Sequence, residues 1–174
     1  MKIQQVTSEH RPKVYALLQR AFPGSSYEER LVRALHEHAK PLQEWVCIHT
    51  NKVIAYIAFS NAYQGRQVCG LHLAPMAVAP DFQKQGVGSE LLRFALRQAS
   101  IKDQPLFVLG EPAYYQRFGF TPCSRPVCPF DTDNAHFLSL RNEGSDPFTV
   151  GYEPEFASVG TGAAVTAKKR TKRR

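Results

Sequence analysis

The chain has 174 residues, 43% of them hydrophobic, and carries 22 Lys and Arg against 15 Asp and Glu for a formal net charge of +7. That length fits one domain with a full core, and that apolar content excludes global disorder. No apolar stretch reaches about 18 residues and the first residues lack the apolar run of an export signal, so the expectation is a cytoplasmic protein with neither a membrane helix nor a disulfide framework.

Lys2 to Val6 alternates weakly and predicts a first strand. Thr7 or Ser8 caps the helix expected next, with Pro12 in its first turn and Val14, Leu17, Leu18, Ala21 and Phe22 as its apolar face. Pro23-Gly24 stops it. Ser25 and Ser26 stand three residues before Glu28 and Glu29, a capping-box spacing that opens a second helix with Leu31, Val32, Leu35 and His38 inward. Trp45–Thr50 and Val53–Ser60 read as a hairpin around Asn51-Lys52, and Tyr63–Arg66 as a loop. Val68–Val78 is the expected central strand. Pro75 within it has no N–H for a ladder, which marks a bulge or an edge and predicts a slot beside the strand.

A helix is predicted from Gly86 to Ser100, a short parallel strand at Leu106–Leu109 and a short helix at Ala113–Phe118. Phe120–Cys123, Phe137–Leu140 and Phe148–Tyr152 are weaker strand candidates, with loop chemistry over 121–135. Cys47 and Cys69 lie in apolar runs. Cys123 and Cys128, near His136, lack the tight pairing of a zinc site, so no metal is expected. The chain divides into a domain over 1–156 and a flexible tail over 157–174. Six of the seven residues from Lys168 to Arg174 are basic, and the rest of the chain holds 16 Lys and Arg against 15 acidic residues. Such a run either solvates a chain end or makes weak nucleic-acid contact.

The stretch with the clearest chemistry is Gly70 to Arg97. An apolar strand ends in Met76-Ala77-Val78; Gln83-Lys84-Gln85-Gly86-Val87-Gly88 follows, then an amphipathic helix. Unpartnered N–H groups and the positive dipole end at a helix start suit a phosphate or pyrophosphate, and glycines allow its close approach. The stretch is neither a G-x-x-x-x-G-K-[ST] loop nor a complete G-x-G-x-x-G. Gln83, Gly86 and Gly88 instead fit Q/R-x-x-G-x-G/A, and Tyr115 and Gly119 fit Y-x-x-x-G-F. The two motifs, in this order and at this spacing, resemble the GNAT superfamily of N-acetyltransferases. The longer wordings Leu-Ala-Pro-Met-Ala-Val and Gly-Glu-Pro-Ala-Tyr-Tyr-Gln-Arg-Phe-Gly-Phe are similar to its bacterial YhbS-type branch.

The resemblance implies an α/β (α+β) GNAT fold: a mixed, mostly antiparallel sheet with a splayed pair of parallel strands, flanked by helices. It implies acetyl-CoA as cosubstrate. The pyrophosphate would rest on main-chain N–H groups around Gln83, Lys84, Gln85, Gly86, Val87, Gly88 and Ser89, and the pantetheine arm along Met76, Ala77 and Val78. The expected reaction is direct acetyl transfer to a primary amine on a small molecule, peptide or protein. An N–H near Pro75–Met76 would stabilise the oxyanion, and Tyr115 would protonate the leaving thiolate. The base stays open among His72, Glu111, the weaker Glu44 and Tyr56, and a water chain. Asp131 and Asp133 either attract a cationic amine or only turn the chain. The competing reading is a CoA-binding regulatory or RNA-associated module that works through the tail. A monomer and a homodimer both fit.

Overall fold

The computed structural model describes residues 1–160. The strands are β1 (Lys2–Gln5), β2 (Leu42–His49), β3 (Lys52–Gln64), β4 (Gln67–Val78), β5 (Leu106–Leu109), β6 (Thr121–Pro122) and β7 (Phe137–Leu140). The helices are α1 (Arg11–Ala21), α2 (Tyr27–Glu37), α3 (Val87–Leu96), α4 (Pro112–Tyr115) and α5 (Glu155–Ser158). One seven-stranded sheet runs in the order β1-β2-β3-β4-β5-β7-β6. It is mixed: β1 and β2 run antiparallel, as do β5 and β7 and β6 and β7, whereas β4 and β5 are parallel. The parallel register covers Leu71↔Leu106 to Leu73↔Val108. Among the described residues no helix is long and apolar enough to cross a membrane.

The chain forms two compact units, one of Met1–Phe59 with Ala74–Lys102 and the other of Ser60–Leu73 with the chain from Asp103 onward. In the first, α1 buries Val14, Leu17 and Leu18 at helical spacing. Leu31, Val32 and Leu35 of α2 are buried, and the stripe continues through His36; His38, expected inside, is exposed because it lies past the last turn. The capping box expected at Ser25 and Ser26 does not form. Ser25 Oγ accepts the Tyr27 N–H at 3.1 Å, while the Glu29 carboxylate turns forward to Arg33 Nε at 2.8 Å. The first turn of the chain is closed at Thr7, whose N–H donates to His10 Nδ1 at 2.9 Å. Thr50 and Asn51 both take positive φ, so the β2–β3 turn falls one residue earlier than expected and Lys52 is already strand.

The second unit packs Ala62, Phe107, Cys123, Cys128, Phe137 and Val150 into one core. Tyr63 and Gln64 belong to β3 and not to a loop. Phe148–Tyr152 is not a strand; it makes two single bridges, Tyr63↔Gly151 and Val127↔Thr149. Gly151 approaches Tyr63 closely enough that a Cβ would stand 3.0 Å from the Tyr63 Cβ, which suits one bridge and no ladder. Helix α3 ends at Leu96, four residues before the expected stop, where Gln98 Nε2 donates back to the Phe94 carbonyl at 3.0 Å. The basic run Lys168–Arg174 lies outside the described residues.

Candidate active site

The expected phosphate loop lies wholly in the first unit. At the end of β4, Met76 and Val78 are half-buried and Ala77 is buried, the alternation of a strand with one covered face. Gln83, Lys84, Gln85 and Gly86 are exposed, and two side chains tether them: Gln83 Nε2 donates to the Val78 carbonyl at 3.0 Å and Gln85 Nε2 to the Asp81 carbonyl at 2.9 Å. Lys84 has φ 61° and Gly86 φ 82°, so the loop passes twice through left-handed geometry before the helix starts. The Gly86 carbonyl takes the Glu90 N–H at 3.0 Å, the first bond of α3. The N–H groups of Val87 and Gly88 therefore stand at the helix start, where no intrahelical carbonyl reaches them. A Cβ on Gly86 would meet nothing within 4 Å, so its surroundings are open to an anion.

Strand β4 is irregular before this loop. Gly65 (φ 61°) and Arg66 make a two-residue turn that sets Gln64 opposite Gln67. Farther along, the Ala79 N–H bonds the Ile54 carbonyl at 2.8 Å. Residues 67–79 on one side thus face residues 54–64 on the other, two residues more, and β4 bulges in between. Pro75, which donates no ladder bond, lies on this stretch of β4.

In the second unit, Glu111 is half-buried at the head of α4, and its main-chain carbonyl accepts the Tyr114 and Tyr115 N–H groups at 3.1 and 3.2 Å. Its carboxylate makes no cap of that helix. Tyr115, not Tyr114, is the buried ring of the pair, edge-on to both Tyr114 (5.0 Å) and Phe120 (5.7 Å). Gly110, at the end of β5, lies under it: a Cβ there would stand 2.6 Å from Tyr115 Cε2. His72 is 1% exposed, stacked 3.6 Å from Tyr152, and donates from Nε2 to the Gly151 carbonyl at 2.9 Å. Its Nδ1 is buried with no hydrogen-bond partner, and burial lowers its pKa from 6.5 to about 4. Asp131 Oδ2 accepts the His136 N–H at 2.7 Å, a turn-forming bond. The buried thiols bond locally, Cys123 to the Pro126 carbonyl (3.5 Å) and Cys128 to the Tyr152 hydroxyl (3.3 Å). Among the described residues no three His, Cys, Asp or Glu side chains gather as metal ligands.

Sequence reasoning missed a polar cluster in the first unit. Tyr56 Oη donates to Glu44 Oε2 at 2.7 Å, His36 Nε2 lies 3.0 Å from both Glu44 oxygens, and Tyr15 Oη lies 2.7 Å from His36 Nδ1. Glu44 and Tyr56 stood among the base candidates; Tyr15 and His36 did not. No spacing rule joins residues 15, 36, 44 and 56, because four separate elements bring them together.

Comparison with known proteins bears on the fold and the family. Residues 40–122 match the family model described as "Acetyltransferase (GNAT) domain". The chain is 38% identical over 111 residues to the "Uncharacterized N-acetyltransferase YjhQ" of Escherichia coli, covering 60% of this chain and 61% of that protein. It is 35% identical over 112 residues to the "Uncharacterized N-acetyltransferase YhbS" of the same species, covering 63% and 66%. The matched stretch is thus less than two thirds of either relative's length. The crystal structure of Escherichia coli YhbS in complex with CoA superposes with a TM-score of 0.81 at 26% identity, over 92% of this chain and 94% of that one. A GNAT acetyltransferase of Brucella melitensis in complex with acetyl-CoA gives 0.74 at 25% identity, over 89% and 97%. With the motifs, the mixed sheet and these likenesses in agreement, residues 40–122 match an acetyltransferase (GNAT) domain and the chain takes the GNAT fold.

Proposed function

We propose that the chain is an N-acetyltransferase that uses acetyl-CoA and passes its acetyl group to a primary amine by direct attack in a ternary complex. The observation that carries this reading is the β4–loop–α3 turn. It offers helix-start N–H groups at Val87 and Gly88, two left-handed residues and an open space above Gly86. The CoA and acetyl-CoA held by the two structural relatives support it. In this reading Gln83 to Ser89 take the pyrophosphate, and Met76, Ala77 and Val78 present main-chain groups to the pantetheine amides. The β4 bulge frees main chain that a regular ladder would consume.

Three tasks remain for side chains and main chain. An alkylammonium, with a pKa near 10, must lose a proton before it attacks. An N–H near Pro75–Met76 suits the oxyanion. Tyr115 takes the general acid's role that the family motif implies, since a phenol is protonated at neutral pH and able to donate. For the base, Glu111 keeps a carboxylate at the end of β5, whereas His72 is sealed among rings and better suited to packing.

Titration calorimetry with acetyl-CoA and CoA tests the first part; no heat from folded protein refutes it. Turnover of acetyl-CoA with a panel of primary amines tests the second. Tyr115→Phe is expected to lower kcat roughly 10²-fold or more while leaving KM for acetyl-CoA nearly unchanged. A variant equal to wild type on every amine removes Tyr115 as the acid.

A further inference from the structure

The peptide at the end of β4 fixes where the last carbonyl of the strand looks. The bond joining Val78 to Ala79 is trans, so its N–H and C=O point in opposite directions. The Ala79 N–H donates to the Ile54 carbonyl of β3 at 2.8 Å, so the Val78 carbonyl faces away from β3. The neighbours of β4 in the sheet are β3 and β5, and the β5 register stops at Leu73↔Val108. The Val78 carbonyl is therefore open to a partner that is not a strand of this sheet.

That partner is a side chain: Gln83 Nε2 donates to the carbonyl at 3.0 Å. Gln83 is exposed, and its main chain leaves the Pro80–Phe82 turn extended, at φ −70° and ψ 154°. Its side chain thus folds back five residues to reach the strand. Gln85 behaves differently. Its Nε2 bonds the Asp81 carbonyl, four residues back inside the loop, and so shapes the loop without engaging β4.

We propose that the Gln83 carboxamide is a placeholder for an amide of the pantetheine arm and is exchanged for it when acetyl-CoA binds. The inference rests on the acetyl-CoA reading above, in which Val78 offers its main chain to that arm. The two donors are of one chemical class. A primary carboxamide and a secondary amide both present a neutral N–H, and a strand carbonyl without a ladder partner accepts either. An arm lying along β4 meets that carbonyl from the side Gln83 holds, so the two compete for one place. Only the side chain moves; the main chain of Gln83 stays with the loop, and no covalent bond changes. Exchange is easy, because an exposed hydrogen bond stabilises little net and holding a glutamine in one rotamer costs entropy. The reverse exchange keeps the half-buried Val78 carbonyl bonded as CoA departs. Exposed rotamers flip on a nanosecond scale or faster, so the contact sets cofactor affinity and not the speed of association.

The test compares wild type with Gln83→Ala by calorimetry for two ligands, CoA and ADP, the second carrying a pyrophosphate without the arm. Gln83 is exposed, so the variant keeps its fold. Removing the competitor is expected to tighten CoA about three- to tenfold and to leave ADP within about twofold. In nitrogen-15 spectra of wild type, the Gln83 side-chain amide signals should move on adding CoA to the position of a solvent-exposed glutamine. CoA and ADP affinities that change together, or a CoA affinity that does not rise, overturn the placeholder, as do Gln83 signals unmoved by CoA. Each of these results removes the placeholder alone, since CoA still binds. Folded wild type that binds no CoA removes the acetyl-CoA reading and the placeholder with it.

Discussion

Gly110→Ala is the smallest change that should disable Tyr115 without touching it. The added Cβ would lie 2.6, 3.3 and 3.5 Å from Tyr115 Cε2, Cδ2 and Cζ. Unstrained carbon contacts begin near 3.5 Å, so the ring must retreat by about 0.9 Å or the end of β5 must shift. Retreat is obstructed by Tyr114 at 5.0 Å and Phe120 at 5.7 Å, both edge-on. Overpacking of this kind costs about 1–3 kcal/mol. For a chain of this size each kcal/mol lowers Tm by about 2–4 °C, so a fall of roughly 2–12 °C is expected. A reacting group displaced by about 1 Å loses on the order of 10²-fold in rate. The assay pairs thermal melts with acetyl-CoA turnover for Gly110→Ala, Tyr115→Phe and the double variant. If Gly110 acts by placing the phenol, the double variant is no slower than Tyr115→Phe alone, whereas the loss of stability persists. Multiplying rate losses, or a Gly110→Ala protein as fast as wild type, would refute the reasoning.

Two further outcomes follow from the same geometry. Gly86→Ala puts a side chain at φ 82° in open space, so the fold should survive a cost of about 1–2 kcal/mol while CoA affinity in calorimetry falls at least about tenfold; unchanged affinity contradicts the loop assignment. His72 titrates near 4 in the fold against 6.5 when unfolded, so the unfolded chain takes the proton first as pH falls. Its contribution is whole above pH 6.5 and declines by about 3 kcal/mol toward pH 4. Urea melts at pH 7.5 and 4.5 should show most of that loss in wild type and little of it in His72→Phe; parallel losses would rule the linkage out.

Legibility from sequence followed the range of the forces involved. Leu106–Leu109 and Phe137–Leu140 were predicted to the residue because apolar runs bounded by turn residues are local patterns. The loop at Gln83–Gly88 was legible for the same reason: its glycines and helix start are consecutive in the chain. Phe148–Tyr152 misled because β-prone residues need a partner strand, and Gly151 finds only Tyr63. Helix ends and caps were set by single side-chain bonds from Gln98, Ser25 and Glu29, which compete locally at similar energies. Tyr114 and Tyr115 are adjacent and chemically identical, so only the turn of α4 decides which is buried. The Tyr15–His36–Glu44–Tyr56 chain had no linear signature at all.

Strands β3 and β4 each pass from one compact unit to the other, at Phe59/Ser60 and Leu73/Ala74, and the backbone crosses once more at Lys102/Asp103. Three crossings mean that no single scission liberates either half as an uninterrupted polypeptide. Splitting the chain for fragment complementation would therefore cut through one half and separate the pieces of the other. Insertions at the Gly65–Arg66 tip are the gentler way to tag or probe this protein, since that tip is exposed and the glycine has open space around it.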